Sequence, residues 1–202
     1  MTLTNLIGIG GHALLLSAII LRLTYAFNLR RDFSYFLALA VFVAASAPIG
    51  TMPVAQVTRG IFGDMSITSL ILLGYFFIFP EISRDKSRQL FILVVTAGLL
   101  FYPAALGLGM LDPYQWGYLN NYRGTFPSML FLAALLAITA IAARLNNALI
   151  LLCIAAATGA FLIGALESRN IWDYLIDPLI FIFGIFRIGI ESTKQFIEKI
   201  RE

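Results

Sequence analysis

The residues able to do chemistry in this chain are few, and they fall in a few places. Asp64, Asp112, Glu167 and Asp173 lie in three separate turn-rich segments. Paired carboxylates can serve as general acid and base, or hold a divalent cation. Asp64, Glu167 and Asp173 are therefore the candidate catalytic residues, on condition that the fold brings them together. Arg59, Asp112, Tyr114, Trp116, Tyr118, Arg123, Arg169 and Trp172 share those segments and are the candidate binding residues. Across residues 111–124, aromatic rings alternate with Asp, Gln, Asn and Arg. Such a mixture can stack on a sugar ring and bind its hydroxyls, or hold a lipid headgroup. Trp and Tyr there, like Trp172 and Tyr174, also suit an aromatic belt that anchors helix ends at a membrane surface.

A second place is His12, the only histidine, which follows Gly8, Gly10 and Gly11 inside an apolar run. A polar side chain about 14 Å into a span, at 1.5 Å per residue, needs a partner and is a functional candidate by default. The structural alternative is a neutral imidazole bonded to a hydroxyl or carbonyl of a neighbour that the glycines admit. With one Cys and one His the chain has no zinc ligand set. Nucleophile elbows, His pairs at metal spacing and phosphate-cradling glycine loops are also missing from the sequence. Neither metal nor cofactor is expected.

The elements that must position these residues follow from composition. Of 202 residues, 60% are hydrophobic and 12% charged, about half the charge of a typical soluble domain; the mean hydropathy is +0.89. That excludes a soluble globular protein, a disordered chain and a basic nucleic-acid-binding domain. It leaves an all-α, polytopic transmembrane bundle. Seven apolar segments are predicted, at 3–25, 33–52, 61–79, 90–111, 126–145, 148–167 and 174–190. They form one bundle over 1–190, followed by a short amphipathic tail over 191–202. Asp64 is placed to cap the third helix, and Asp177-Pro178 to start the seventh. Apolar residues 54–62 can dip into the outer leaflet. Ala156, Ala160 and Gly164, with Ala155 and Gly159 beside them, and Ala133 and Ala137 on the preceding segment, make small-residue stripes suited to close helix packing within the bundle or in a dimer.

Basic residues give the orientation. Of the 14 Lys and Arg, only Arg59, Arg123 and Arg169 fall on one side of seven alternating spans. The positive-inside rule then puts the N-terminus outside and the C-terminus in the cytoplasm. The net charge of +3 is thus a topology signal. The outer face, net acidic and mixed with Trp and Tyr, is where recognition is expected. The reading that follows is an accessory or partner-binding subunit of a membrane complex in the cell envelope, in a bacterial cytoplasmic membrane. Its expected partners are the bilayer and a membrane protein or second copy. Two other classes fit the same residues. One is an enzyme acting on a lipid headgroup or lipid-linked sugar at the outer leaflet. The other is a small-solute transporter with His12 near the midplane.

Overall fold

The computed structural model describes residues 2–78, 84–108, 110, 112–119 and 126–201. The chain is all-helical, about 80% helix. In order the helices are α1 (Leu3–Ala26), α2 (Arg31–Ser46), α3 (Val54–Phe62), α4 (Ile67–Ile78), α5 (Arg84–Ala105), α6 (Phe126–Arg144), α7 (Ala148–Leu162), α8 (Trp172–Leu175) and α9 (Pro178–Arg201). A 3₁₀ turn, Pro113–Gly117, precedes α6, and a two-stranded ribbon pairs Pro48 with Pro53 between α2 and α3. Among the described residues, three helices are long and apolar enough to cross a membrane: α1, α5 from Lys86, and α6.

Several boundaries differ from the apolar runs. The second segment stops at Ser46 because Ala47 is extended (φ −77°, ψ 141°) ahead of Pro48, as the residue before proline prefers. The third is split: Ile61 and Phe62 belong to α3, and residues 63–66 form a loop before α4. The sixth ends at Leu162, and the tail continues α9 without a break. Four helices end in the same way. A left-handed residue follows α1 (Asn28), α5 (Gly107), α6 (Asn146) and α7 (Gly164). The next N–H reaches back to a carbonyl in the last turn, as from Leu29 to Thr24 and from Ala165 to Ala160. This Schellman arrangement satisfies carbonyls that would otherwise be orphaned in an apolar setting.

Among the described residues, packing forms three contiguous clusters. Ile9 and Ala13 of α1 meet Ala45 of α2 and Ala55 of α3. The largest cluster joins α5, α7 and the start of α9 through Leu90, Phe91, Val94, Ile150, Cys153 and Ile180. Ala157, Ala165, Leu166 and Tyr174 close the C-terminal end of α7. α5 and α9 approach through glycine: a Cβ on Gly98 would overlap the Phe181 ring, and one on Gly184 would press on Val95. Gly98→Leu is expected to cost about 1–3 kcal/mol through overpacking. Denaturant unfolding in detergent measures it, and an unchanged midpoint would mean that the two helices do not pack this closely.

The small-residue stripes divide: Ala160 packs against the cluster at Ala157, Ala165, Leu166 and Tyr174, Ala156 is half-buried and Gly164 is exposed. Ala133 and Ala137 face outward on α6, and so do Ala155 and Gly159 on α7. The buried row of α7 is Leu149, Cys153 and Ala157, whose large members fill the core. Only 17% of the apolar window of α6 is buried; Ala133 and Ala137 lie on its exposed face, while Ala142 joins the core. The α6–α7 link is held from below. Asn147 is fully buried; it caps α7 by accepting from Ile150 N (3.2 Å) and donates to Lys86 O (3.1 Å) and Gln89 Oε1 (2.8 Å).

Candidate functional site

The short helix α3 brings the first group together. It is amphipathic and lies against α1, burying Ala55. Arg59, in its last turn, projects toward α1. Its Nε donates to Asp64 Oδ1 (2.5 Å) and its Nη2 to Asp64 Oδ2 (3.1 Å), a bidentate fork. Nη2 also donates to Glu167 Oε1 (3.0 Å), and Nη1 donates to Asn5 Oδ1 of α1 (2.9 Å). The guanidinium lies over Gly8, where any Cβ would collide with it. One cation thus ties α1, α3, the 63–66 loop and the 167–177 segment. The bonds to Asp64 raise the Arg59 pKa more than burial lowers it, and Glu167 adds to the rise. The charge is permanent.

The 63–66 loop is held at both ends. His12 of α1, fully buried, places Nε2 2.8 Å from Gly63 O. A carbonyl only accepts, so Nε2 carries the proton, and Nδ1 is buried without a hydrogen-bond partner among the described residues. Gly11, one residue earlier, leaves room for Leu70 of α4. Asp64 does not cap α4, because the Arg59 fork engages both its oxygens. Ser66 caps it instead, accepting from Ser69 N (3.1 Å). Asp177, 5% exposed, accepts from Ser66 N with Oδ2 (2.7 Å) and caps α9 by accepting from Ile180 N with Oδ1 (2.9 Å).

A second group joins the 3₁₀ turn to residues 167–177. Asp112 accepts from Tyr114 N (3.0 Å) and starts the turn. Tyr114 Oη donates to Asp173 Oδ2 (2.8 Å), which Ser168 Oγ also donates to (2.5 Å). Buried Asn170 donates to Tyr114 O (2.7 Å) and accepts from Trp172 N (3.0 Å). Gly117 is required where it stands, since a Cβ there would coincide with Asn170 Oδ1. Trp172 donates from Nε1 to Pro113 O (2.9 Å) and packs between Phe101 and Phe131, each 4.9 Å away. Tyr174 is fully buried, its hydroxyl accepting from Leu166 N (3.1 Å) and lying 3.0 Å from Ser168 O. Tyr174 is therefore a packing residue, contrary to its reading as part of an aromatic belt, since a belt residue would keep its ring against lipid; Trp172, half-buried, is tied into the same network.

The Tyr114 phenol is pushed well above the ordinary tyrosine value of about 10, chiefly by burial and then by the bond to Asp173 and its charge. The folded state favours the neutral phenol. This contribution to stability is complete below about pH 10 and is lost as the pH rises above it. In an alkaline titration followed by phenolate absorbance, late-ionising tyrosine is expected, and Tyr114→Phe should lower its amplitude by one residue. A titration curve unchanged by that substitution would contradict the assignment.

The predicted site residues thus divide. Asp64, Glu167 and Arg59 converge, whereas Asp173 joins Tyr114 in a separate network. Trp116 is half-buried on the 3₁₀ turn, Tyr118 stacks edge-on against Tyr114 at 5.5 Å, and Arg169 is exposed. Arg123 lies outside the described residues. Among the described residues no three His, Cys, Asp or Glu side chains are grouped to hold a metal ion. Asn5, Ser66, Asn170 and Asp177 take part in these networks without having been singled out as site residues. For Asn5 a signal exists: Asn5, Gly8 and His12 recur at helical spacing on one face of α1. No protein-family model, curated protein or solved structure matches this chain.

Proposed function

We propose that the chain is an integral membrane protein of seven spans, oriented with its N-terminus outside and C-terminus in the cytoplasm. In this reading it is an accessory, partner-binding subunit of a complex in the bacterial cytoplasmic membrane. The spans are α1, α2, α4, α5, α6, α7 and α9, with residues 191–202 as the cytoplasmic tail. Helices α2, α4 and α7, of 16, 12 and 15 residues, rise about 24, 18 and 22 Å at 1.5 Å per residue. A local thinning of the roughly 30 Å core accommodates such spans.

One observation carries the functional part. The outer carboxylates are bonded into a scaffold: Asp64 and Glu167 to Arg59, Asp173 to Tyr114 and Ser168, Asp177 to two backbone N–H groups. An acid–base pair needs at least one carboxyl group whose proton is free to move to a substrate. Carboxylates held this way instead fix the shape of a surface, which suits recognition of a partner. Purification in mild detergent, with mass spectrometry of what co-purifies, tests the reading. A membrane partner in stoichiometric yield is the expected result. Recovery of the chain alone, with nothing crosslinked to it in cells, would overturn it.

A further inference from the structure

We propose that a cleft at the outer end of α7 binds the phosphodiester headgroup of an anionic phospholipid; this rests on the membrane placement above. The cleft measures about 400 Å³. Residues 161–164 form one wall, and Tyr118, Ser168 and Arg169 form the other. The first wall is apolar and open: Leu162 and Ile163 are 77% and 73% exposed. Apolar surface of this kind, at the end of a hydrophobic helix, calls for cover by hydrocarbon. Gly164, left-handed at φ 64°, turns the chain back so that polar residues 167–169 return beside that wall. No atom stands within 4 Å of where its Cβ would be.

The charges on this face decide what the other wall attracts. Glu167 is drawn to Arg59, and Asp173 accepts from Tyr114 and Ser168. Arg169 has no ion-pair or hydrogen-bond partner among the described residues. It is the uncommitted charge at the cleft, and a guanidinium fork matches phosphate oxygens. An anionic phospholipid presents its parts in the same order, a phosphate at headgroup level and acyl chains alongside. A free phosphate would use Arg169 but leave the apolar wall open.

The test uses the intact chain in phosphatidylcholine vesicles and its two tryptophans, Trp116 and Trp172, which are close in sequence to Tyr118 and Arg169. Brominated phosphatidylglycerol is expected to quench their fluorescence more than an equal fraction of brominated phosphatidylcholine. Arg169→Gln should lower the preference about tenfold, the loss of roughly one charge-assisted bond, while Arg169→Lys keeps part of it. Arg169 is exposed, so the variants are expected to fold. Equal quenching by the two lipids, or a preference untouched by Arg169→Gln, would overturn the proposal. So would inorganic phosphate that abolishes the preference, since the site would then serve the free anion. A chain released from the vesicles by alkaline carbonate would remove the membrane placement as well; equal quenching in a chain that stays embedded removes only the lipid site.

Discussion

Arg59→Ala is expected to lower the unfolding free energy by about 3 kcal/mol, the lower end of the range for breaking a buried ion pair. The Arg59 and Asp64 side chains are 14% and 19% exposed, so water reaches them only in part. Removing the cation leaves Asp64 charged in that setting and frees Asn5 and Glu167. The larger share of the loss comes from the stranded carboxylate. The double variant Arg59→Met/Asp64→Leu should therefore be more stable than Arg59→Ala, although it lacks both charges. Glu167→Gln should change stability by only about 0–1 kcal/mol, because the Glu167 side chain is 66% exposed and its pair is screened. Chemical unfolding of the four proteins in one detergent measures this order. Arg59→Ala as stable as the wild type would mean that the fork holds nothing in place.

The second large effect is expected at Asp177. Its two oxygens take N–H groups from different elements, Ser66 at the head of α4 and Ile180 in the first turn of α9. Asp177→Ala leaves both donors buried and unbonded, at about 1–3 kcal/mol each, so a total loss of about 2–6 kcal/mol is expected. Asp177→Asn keeps one accepting oxygen and should recover roughly half. The distinguishing readout is hydrogen exchange. In Asp177→Ala the amides of Ser66 and Ile180 should lose protection together, because one side chain serves both. Loss at Ile180 alone would reduce Asp177 to an ordinary helix cap.

Much of the local structure was legible in the residues. The apolar runs marked the helices, and the pair Asp177-Pro178 marked the start of α9. Ends were harder. Ile61 and Phe62 read as part of the third apolar run, yet they close α3, because hydrophobicity alone does not report where the backbone breaks. The small-residue stripe of α6 was ambiguous for a related reason. Ala133 and Ala137 repeat at the right interval, but a helix in lipid has two apolar sides, and the interval does not say which one meets protein.

The candidate site divides along the same line. Residue types and charge sorting alone determined the all-helical class, the scarcity of ionisable groups and their concentration in a few segments. Those are properties of composition and local spacing. Which carboxylate meets which cation was decided by tertiary structure. Arg59 and Glu167 are 108 residues apart and Ser66 and Asp177 are 111 apart; no local pattern couples positions at such separations. Asp64, which reads locally as a helix cap, turns to Arg59 because the bidentate fork takes both its oxygens, leaving Ser66 to cap α4. Gly8 and Gly117 acquire their meaning only from what lies opposite, a guanidinium in one case and Asn170 in the other. Side-chain chemistry is written in the chain, but its pairing depends on helix packing that brings distant segments within hydrogen-bond reach.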